Sequence, residues 1–272
     1  MKLIISHDVC ILQTSDHLCD LLVIKRIIRN LIEYALGYAT GKEFFSRFVD
    51  ICNNRIHKLD ELIAFDRENG IPSTFFFGMA NGMYLNYSLQ DGAFWIQRVR
   101  NAGLAVGVHG VQYDNPAGIQ KEYNTFRKIT GLDHFGIRMH YLRMNESTLQ
   151  NLEHAEYVFD SSVERLEGPY RIGKMWEFPL HIMDVSIFYR CARWINTSFE
   201  QAKTITTDLL EKAHAMKIPY FTINLHDRNF SPSFFQIYKW YIWLVQFAKD
   251  RGIEFSDFFS AINELEGNSE NQ

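Results

Sequence analysis

The sequence is short of the features that announce several common functional classes. Its four cysteines, Cys10, Cys19, Cys52 and Cys191, form no Cys-x-x-Cys pair. That argues against a disulfide framework or a structural zinc module and for free, buried thiols in a reducing compartment. No apolar run approaches the roughly 20 residues that span a bilayer. Leu21–Ile32 comes nearest, but Lys25, Arg26, Arg29 and Asn30 interrupt it. It is expected as a buried amphipathic helix, with a helix on a membrane surface as the alternative. Only three apolar residues separate Met1 and Lys2 from Ser6-His7-Asp8, so no secretory leader is expected and the expected location is cytoplasmic. There is no long basic run, and 28 Lys and Arg stand against 32 Asp and Glu. That balance argues against nucleic acid as the main partner. The absence of a Gly-rich phosphate loop and of a Gly-x-Ser-x-Gly elbow disfavours kinase, dinucleotide and serine-hydrolase chemistry.

What is present is material for a core. Apolar residues make up 47% of the chain, with 22 Phe and 13 Tyr, and 272 residues suit one large domain. Leu3-Ile4-Ile5 runs straight into Ser6-His7-Asp8-Val9-Cys10, the pattern of a buried parallel strand whose C-terminal end opens into a site. Helical spacing follows over Leu18–Leu36, Lys42–Asn53 and Arg55–Asn69, too much chain for one crossover and therefore an added helical layer. Strands are expected at Ser73–Phe77, Leu104–Val108, Phe135–Met139, Tyr157–Phe159 and Tyr220–Leu225, with an irregular strand at Trp176–Ile182 because of Pro179. Between them lie helices beginning at Asp91, at Asn115-Pro116, at Asn145, at Phe199 and, after Ser231, at Pro232, while Glu164–Lys174 reads as loop and Gly267–Gln272 as a frayed tail. Strand and helix alternate without a linker or repeat. This predicts an α/β fold in one domain, residues 1–272: a distorted barrel of about seven parallel strands.

Polar residues fall at the ends of these strands. Asp8, His109, Arg138, His140, Asp160, Asp184 and His226 each follow or close a strand, and in a parallel barrel such positions meet at one face. A single histidine there is usually structural; a series of Asp, His and Arg residues points to a site. The chemistry open to them is metal-assisted hydrolysis, with carboxylate, imidazole or thiolate ligands, a carboxylate base and a second histidine as acid.

At these residues the sequence resembles the polysaccharide deacetylase superfamily (carbohydrate esterase family four, the NodB-homology fold). The matching pieces are Ile5-Ser6-His7-Asp8-Val9-Cys10, Pro72-Ser73-Thr74-Phe75-Phe76-Phe77, Val106-Gly107-Val108-His109-Gly110, Gly136-Ile137-Arg138-Met139-His140-Tyr141, Phe159-Asp160-Ser161-Ser162, Phe178-Pro179-Leu180 and Asn224-Leu225-His226. Together they span residues 3–260 and look most like the branch found among bacterial surface polysaccharide and O-antigen biosynthesis proteins. The resemblance implies a metal-dependent deacetylase of N-acetylated sugars, hydrolysing an amide C–N bond with a divalent metal, usually zinc. The sugar would be small or linked to a nucleotide or lipid. By the same resemblance Asp8 is the catalytic base, Arg138 orients it and His226 is the general acid. His109 is a metal ligand, and Cys10 stands where a second aspartate ligand belongs. The second histidine of the metal box is replaced by Tyr113, and Asp8, Asp114 or His140 are the candidates to complete the site. Tyr113, His140, Tyr141 and Asp160 are expected to face substrate. The two changed positions, Cys10 and Tyr113, leave a catalytically degenerate carbohydrate-binding protein on the same fold as the alternative.

Overall fold

The structure, a computed structural model, describes residues 1–189 and 195–269. Cys191 and the last three residues of the expected tail lie outside the described residues.

The chain opens with strand β1 (Lys2–Val9), then helices α1 (Leu22–Ala35), α2 (Gly41–Cys52) and α3 (Leu59–Asn69). There follow β2 (Thr74–Gly78), α4 (Leu89–Asn101), β3 (Ala105–Gly110), α5 (Pro116–Thr130), β4 (Ile137–Met139), α6 (Thr148–His154) and β5 (Phe159–Asp160). Next come β6 (Tyr170–Ile172), β7 (Met175–Glu177), β8 (Leu180–Met183), α7 (Asp184–Phe188) and α8 (Phe199–Ala215). The fold ends with β9 (Tyr220–Asn224), α9 (Phe235–Asp250), β10 (Phe255–Ser256) and α10 (Phe258–Ser269).

All ten strands belong to one sheet in the order β6-β7-β5-β4-β3-β2-β1-β9-β8, with β10 added beside β1. Every pairing is parallel except β6 with β7. Closure depends on one short stretch. β7 pairs with β5, and β8, two residues later, pairs with β9 at the other end of the order. Phe178-Pro179 makes that crossing, and the Leu180 N–H donates to the Val163 carbonyl at 2.8 Å. The sheet is thereby curled into a distorted barrel.

Side-chain alternation along β1 sorts its residues between two cores. Leu3, Ile5 and Val9 pack outward under the helices with Phe75, Phe77, Trp240 and Tyr241. Ile4 points inward onto an aromatic plug with Phe76, Phe159, Phe178 and Phe258. The next residues of the same phase, Ser6 and Asp8, therefore rise from the plug toward the open end. His7, of the opposite phase, leaves the site: its Nδ1–H donates to the Leu225 carbonyl at 3.0 Å and its Nε2 meets Asp66 at 2.8 Å. Asp66 also accepts from Ser73 and Tyr241, so this buried group ties β1 to α3 and α9.

Several expectations are corrected. The segment read as loop before Lys174 contains β6, which pairs only in a hairpin and carries no apolar run. The helix expected from Asp91 is capped by Ser88, whose Oγ accepts the Asp91 N–H at 3.0 Å. Ser231 caps a single 3-10 turn, Pro232–Phe234, ahead of α9. Cys19 and Cys52 are exposed rather than buried. The largest change is α1. Ile24, Ile28 and Leu31 are about half exposed, at 53%, 50% and 48%, whereas Asn30 and Glu33 are buried. The polar face is turned inward because Arg47 of α2 donates to both Asn30 and Glu33, and the Ile195 N–H donates to Glu33 as well. No helix among the described residues is long and apolar enough to cross a membrane.

Candidate active site

Strand ends position the polar groups. Arg138, on β4, is wholly buried and sits above the plug with its guanidinium 4.6 Å from the Phe76 ring. It donates to the Ser161 carbonyl (2.8 Å) and Oγ (2.9 Å), the Ser6 Oγ (2.7 Å), the Asn224 Oδ1 (2.9 Å) and the Asp8 Oδ1 (3.2 Å). The second Asp8 oxygen accepts from the Asn224 Nδ2 at 3.0 Å. A buried carboxylate needs this pairing, since an unpaired one costs several kcal/mol.

Asp8 faces a group of three possible metal ligands, Cys10, His109 and His140, whose donor atoms all lie within 4.8 Å of one another. Asp8 itself is 4.0 Å from the His109 Nε2. Cys10 Sγ is 3.5 Å from His109 Nε2 and 3.9 Å from His140 Nδ1, and the two nitrogens are 2.9 Å apart. The other nitrogen of each ring faces a backbone carbonyl: His109 Nδ1 meets the Arg138 oxygen at 3.1 Å and His140 Nε2 meets the Met83 oxygen at 2.9 Å. A carbonyl only accepts, so both of those nitrogens carry hydrogen. In neutral rings the remaining two nitrogens then aim lone pairs at each other and at the sulfur. A shared proton or a cation resolves that, and fixing imidazoles through backbone carbonyls is how ligating histidines are oriented. The donor set therefore fits a divalent metal. The Cys10 thiol is held well below its ordinary range: burial opposes this, but the charge and hydrogen bond of His109, with His140 and His226, outweigh it. His109 is shifted up, burial again being overcome, here by Asp8 and Cys10.

Opposite stands His226, just beyond β9. Its Nδ1 is bonded to the Asp184 Oδ1 at 2.7 Å, and Asp184 also accepts from the His226 N–H and the Asn229 side chain. Burial disfavours a charged imidazole here, yet Asp184 prevails and pushes His226 up to about 10. These groups lie at the floor of a cavity of about 1000 Å³, which α1 covers from one side. Two of its rims hold consecutive non-glycine residues in the left-handed region: Met83 and Tyr84 (φ 53° and 69°), and Tyr141 and Leu142 (φ 58° and 50°). Such backbone is uncommon and concentrates at functional sites.

The structure thus brings together Asp8, Cys10, His109, Arg138, His140 and His226, with Tyr141 on the rim. It does not bring in Tyr113 or Asp160. Tyr113 packs under Arg143, 4.2 Å from its guanidinium, and is not part of the Cys-His-His group. Asp160 is corrected from a substrate contact to a core support. Its carboxylate accepts from the Ser162 hydroxyl and N–H, and Ser162 in turn accepts from the Met139 N–H. Beside it Glu177 is shifted well up, by burial and then by Asp160. Sequence reasoning missed Asn224, Ser6 and Ser161 as holders of Arg138 and Asp8. The period-two phase of Ser6 and Asp8 on β1 was the available signal for Ser6. Nothing local marks the others.

No protein-family model and no curated protein matches the chain. Solved structures do. A Mycobacterium smegmatis protein assigned as a polysaccharide deacetylase superposes with a TM-score of 0.63 at 14% identity, covering 97% of this chain and 88% of its own. A Pseudomonas aeruginosa protein with the same assignment gives 0.55 at 16% identity, over 74% of this chain and 70% of that one. The Puue allantoinase gives 0.57 at 15%, over 75% and 70%. At these identities the likeness is one of fold, and the curled parallel sheet described above is the fold that they share with this chain.

Proposed function

We propose that this chain, which has the polysaccharide deacetylase fold, is a metal-dependent amidohydrolase that removes the acetyl group of an N-acetylated sugar. The observation that carries the proposal is a buried carboxylate, Asp8, held by Arg138 and Asn224 beside a Cys-His-His donor set, with an Asp-oriented histidine lining the same cavity. Cys10, His109 and His140 would hold the metal. A thiolate with two imidazoles suits zinc. When bound, the metal supplies Lewis-acid polarisation of the amide carbonyl.

The remaining work falls to the chain. Asp8 takes a proton from the attacking water as the C–O bond forms. Arg138 and Asn224 hold its carboxylate in place, which keeps the base aimed without spending entropy at the moment of reaction. His226, kept protonated by Asp184, gives its proton to the leaving amine as the C–N bond breaks. The motif resemblance supports a role in bacterial surface polysaccharide or O-antigen assembly, acting in the cytoplasm on a nucleotide- or lipid-linked sugar.

Acetate release from N-acetylated sugars is expected of the wild type and is abolished in Asp8→Asn and in His226→Ala, with both variants still folded by circular dichroism. Activity retained in both variants sinks the assignment. Sugar binding without acetate release, even with added zinc, would instead favour a catalytically degenerate carbohydrate-binding protein. The replacement of a ligand position by Tyr113, which turns to Arg143, is what motivates that second reading.

A further inference from the structure

We propose that Arg26, Arg29 and Arg228 form an anion subsite at the mouth of the cavity, which takes the phosphate or diphosphate of a phosphate-bearing N-acyl sugar. This rests on the reading of the floor as a deacetylase site and adds the class of substrate.

All three arginines line the cavity. Arg26 and Arg29 are three residues apart on α1 and so share a face. Arg228 stands across from them, two residues beyond His226. Among the described residues none of the three has an ion pair or a hydrogen-bonded carboxylate; Arg29 only overlies the Tyr189 ring, at 5.2 Å. The cationic neighbours are otherwise committed: Arg47 to Glu33, and Lys25 to the Tyr84 hydroxyl. Of the nearby carboxylates, Asp8 is committed to Arg138, Asp50 to Lys58 and Asp184 to His226, and Glu164 on the cavity wall accepts from Ser186. Asp227 lies beside Arg228 and, with Cys10 and Asp184, favours its charge against burial without a direct ion pair. Arg26 and Arg228 are partly buried and Arg29 is exposed; guanidiniums gathered this way with no ion-pair partner in contact leave their donor forks open to an anion. Burial, then the charges of Arg228 and Arg29, push Arg26 down to about 9, still cationic at neutral pH. Guanidinium forks match phosphate oxygens in pairs, which a neutral sugar hydroxyl cannot exploit. Ile28 and Ile32 line the same wall, so a diphosphate on either a nucleotide or an isoprenoid is compatible with it.

The test is equilibrium binding to the metal-replete protein. N-acetylglucosamine 1-phosphate is expected to bind wild type about tenfold or more tighter than N-acetylglucosamine. That gain should shrink with added salt and vanish in Arg26→Gln/Arg29→Gln and in Arg228→Gln. Melting temperature and metal content should stay at wild-type values in the α1 double variant, whose side chains reach solvent, so that variant decides the matter if Arg228→Gln fails to fold. No gain from the phosphate in wild type, including no measurable binding of either sugar, overturns the subsite, as does a double variant that keeps the gain. UDP-N-acetylglucosamine and farnesyl-diphosphate-linked N-acetylglucosamine then separate the sources: the tighter, arginine-dependent ligand names the carrier, and equal affinity assigns recognition to the diphosphate. The two readings fail separately. Arginine-dependent binding without deacetylation defeats the hydrolase and leaves the subsite. Deacetylation indifferent to phosphate does the reverse.

Discussion

His109 Nε2 and His140 Nδ1 face each other at 2.9 Å while the far nitrogen of each ring is committed to a backbone carbonyl. Two neutral imidazoles cannot satisfy that contact; a shared proton or a cation can, and with the Cys10 sulfur beside them a divalent ion is the proposed occupant. Purified protein is therefore expected to hold about one divalent ion per chain. His140→Ala should lose it as fully as His109→Ala or Cys10→Ala does, whereas Tyr113→Phe should keep it. Elemental analysis of the four variants checks this, and an ion retained in His140→Ala would remove that residue from the ligand set.

Arg138 is expected to dominate stability at the open end of the barrel. Arg138→Leu removes the partner of a buried carboxylate and several further hydrogen bonds, so it should cost about 3–5 kcal/mol in urea unfolding. Arg138→Lys should recover only part, because an ammonium cannot reproduce the planar fork. A loss under about 1 kcal/mol in Arg138→Leu would show that Asp8 is supported from elsewhere.

Asp184→Asn should act on turnover through His226. The amide cannot hold the imidazole as a carboxylate does, so kcat is expected to fall by about 10²-fold or more with KM little changed. A matching rise in KM would instead place Asp184 in substrate binding.

His181 offers an acid-labile joint between β8 and β9. Its Nδ1 accepts the Thr222 N–H at 2.9 Å and its Nε2–H donates to the Glu167 carbonyl at 2.9 Å, an arrangement that only the neutral ring satisfies. Burial accordingly pushes it down from 6.5 to about 4. A histidine lowered on folding gives stability that is present above the unfolded value and lost as pH falls toward the folded one. Between pH 7.5 and 4 the wild type should therefore lose about 2–3 kcal/mol more than His181→Gln. Urea midpoints across that range measure the difference, and parallel curves would rule out the joint.

Much of this architecture was legible in the sequence because it rests on local rules. The unbroken apolar run of Leu3-Ile4-Ile5 marks a strand covered on both faces. Asn115-Pro116 and Gly131 bound α5 at the places where the structure has them, with the Asn115 side chain capping Gly118 and Gly131 in the left-handed region. Polar residues at successive strand ends predicted a shared open end of the sheet, and Asp8, His109, Arg138 and His226 gather there while Asp160 turns into the core. The closure of the barrel by two short strands on either side of Phe178-Pro179, the inward turn of Asn30 and Glu33 on α1, and which of the candidates Asp8, Asp114 and His140 joins Cys10 and His109 were beyond it. Each depends on which distant partner a side chain meets. Arg47 pulls the polar face of α1 inward, and the Met83 carbonyl turns His140 toward His109. Periodicity and spacing set the phase of a residue on its own element; the partner across the cavity, tens of residues away, is set only when the chain is packed.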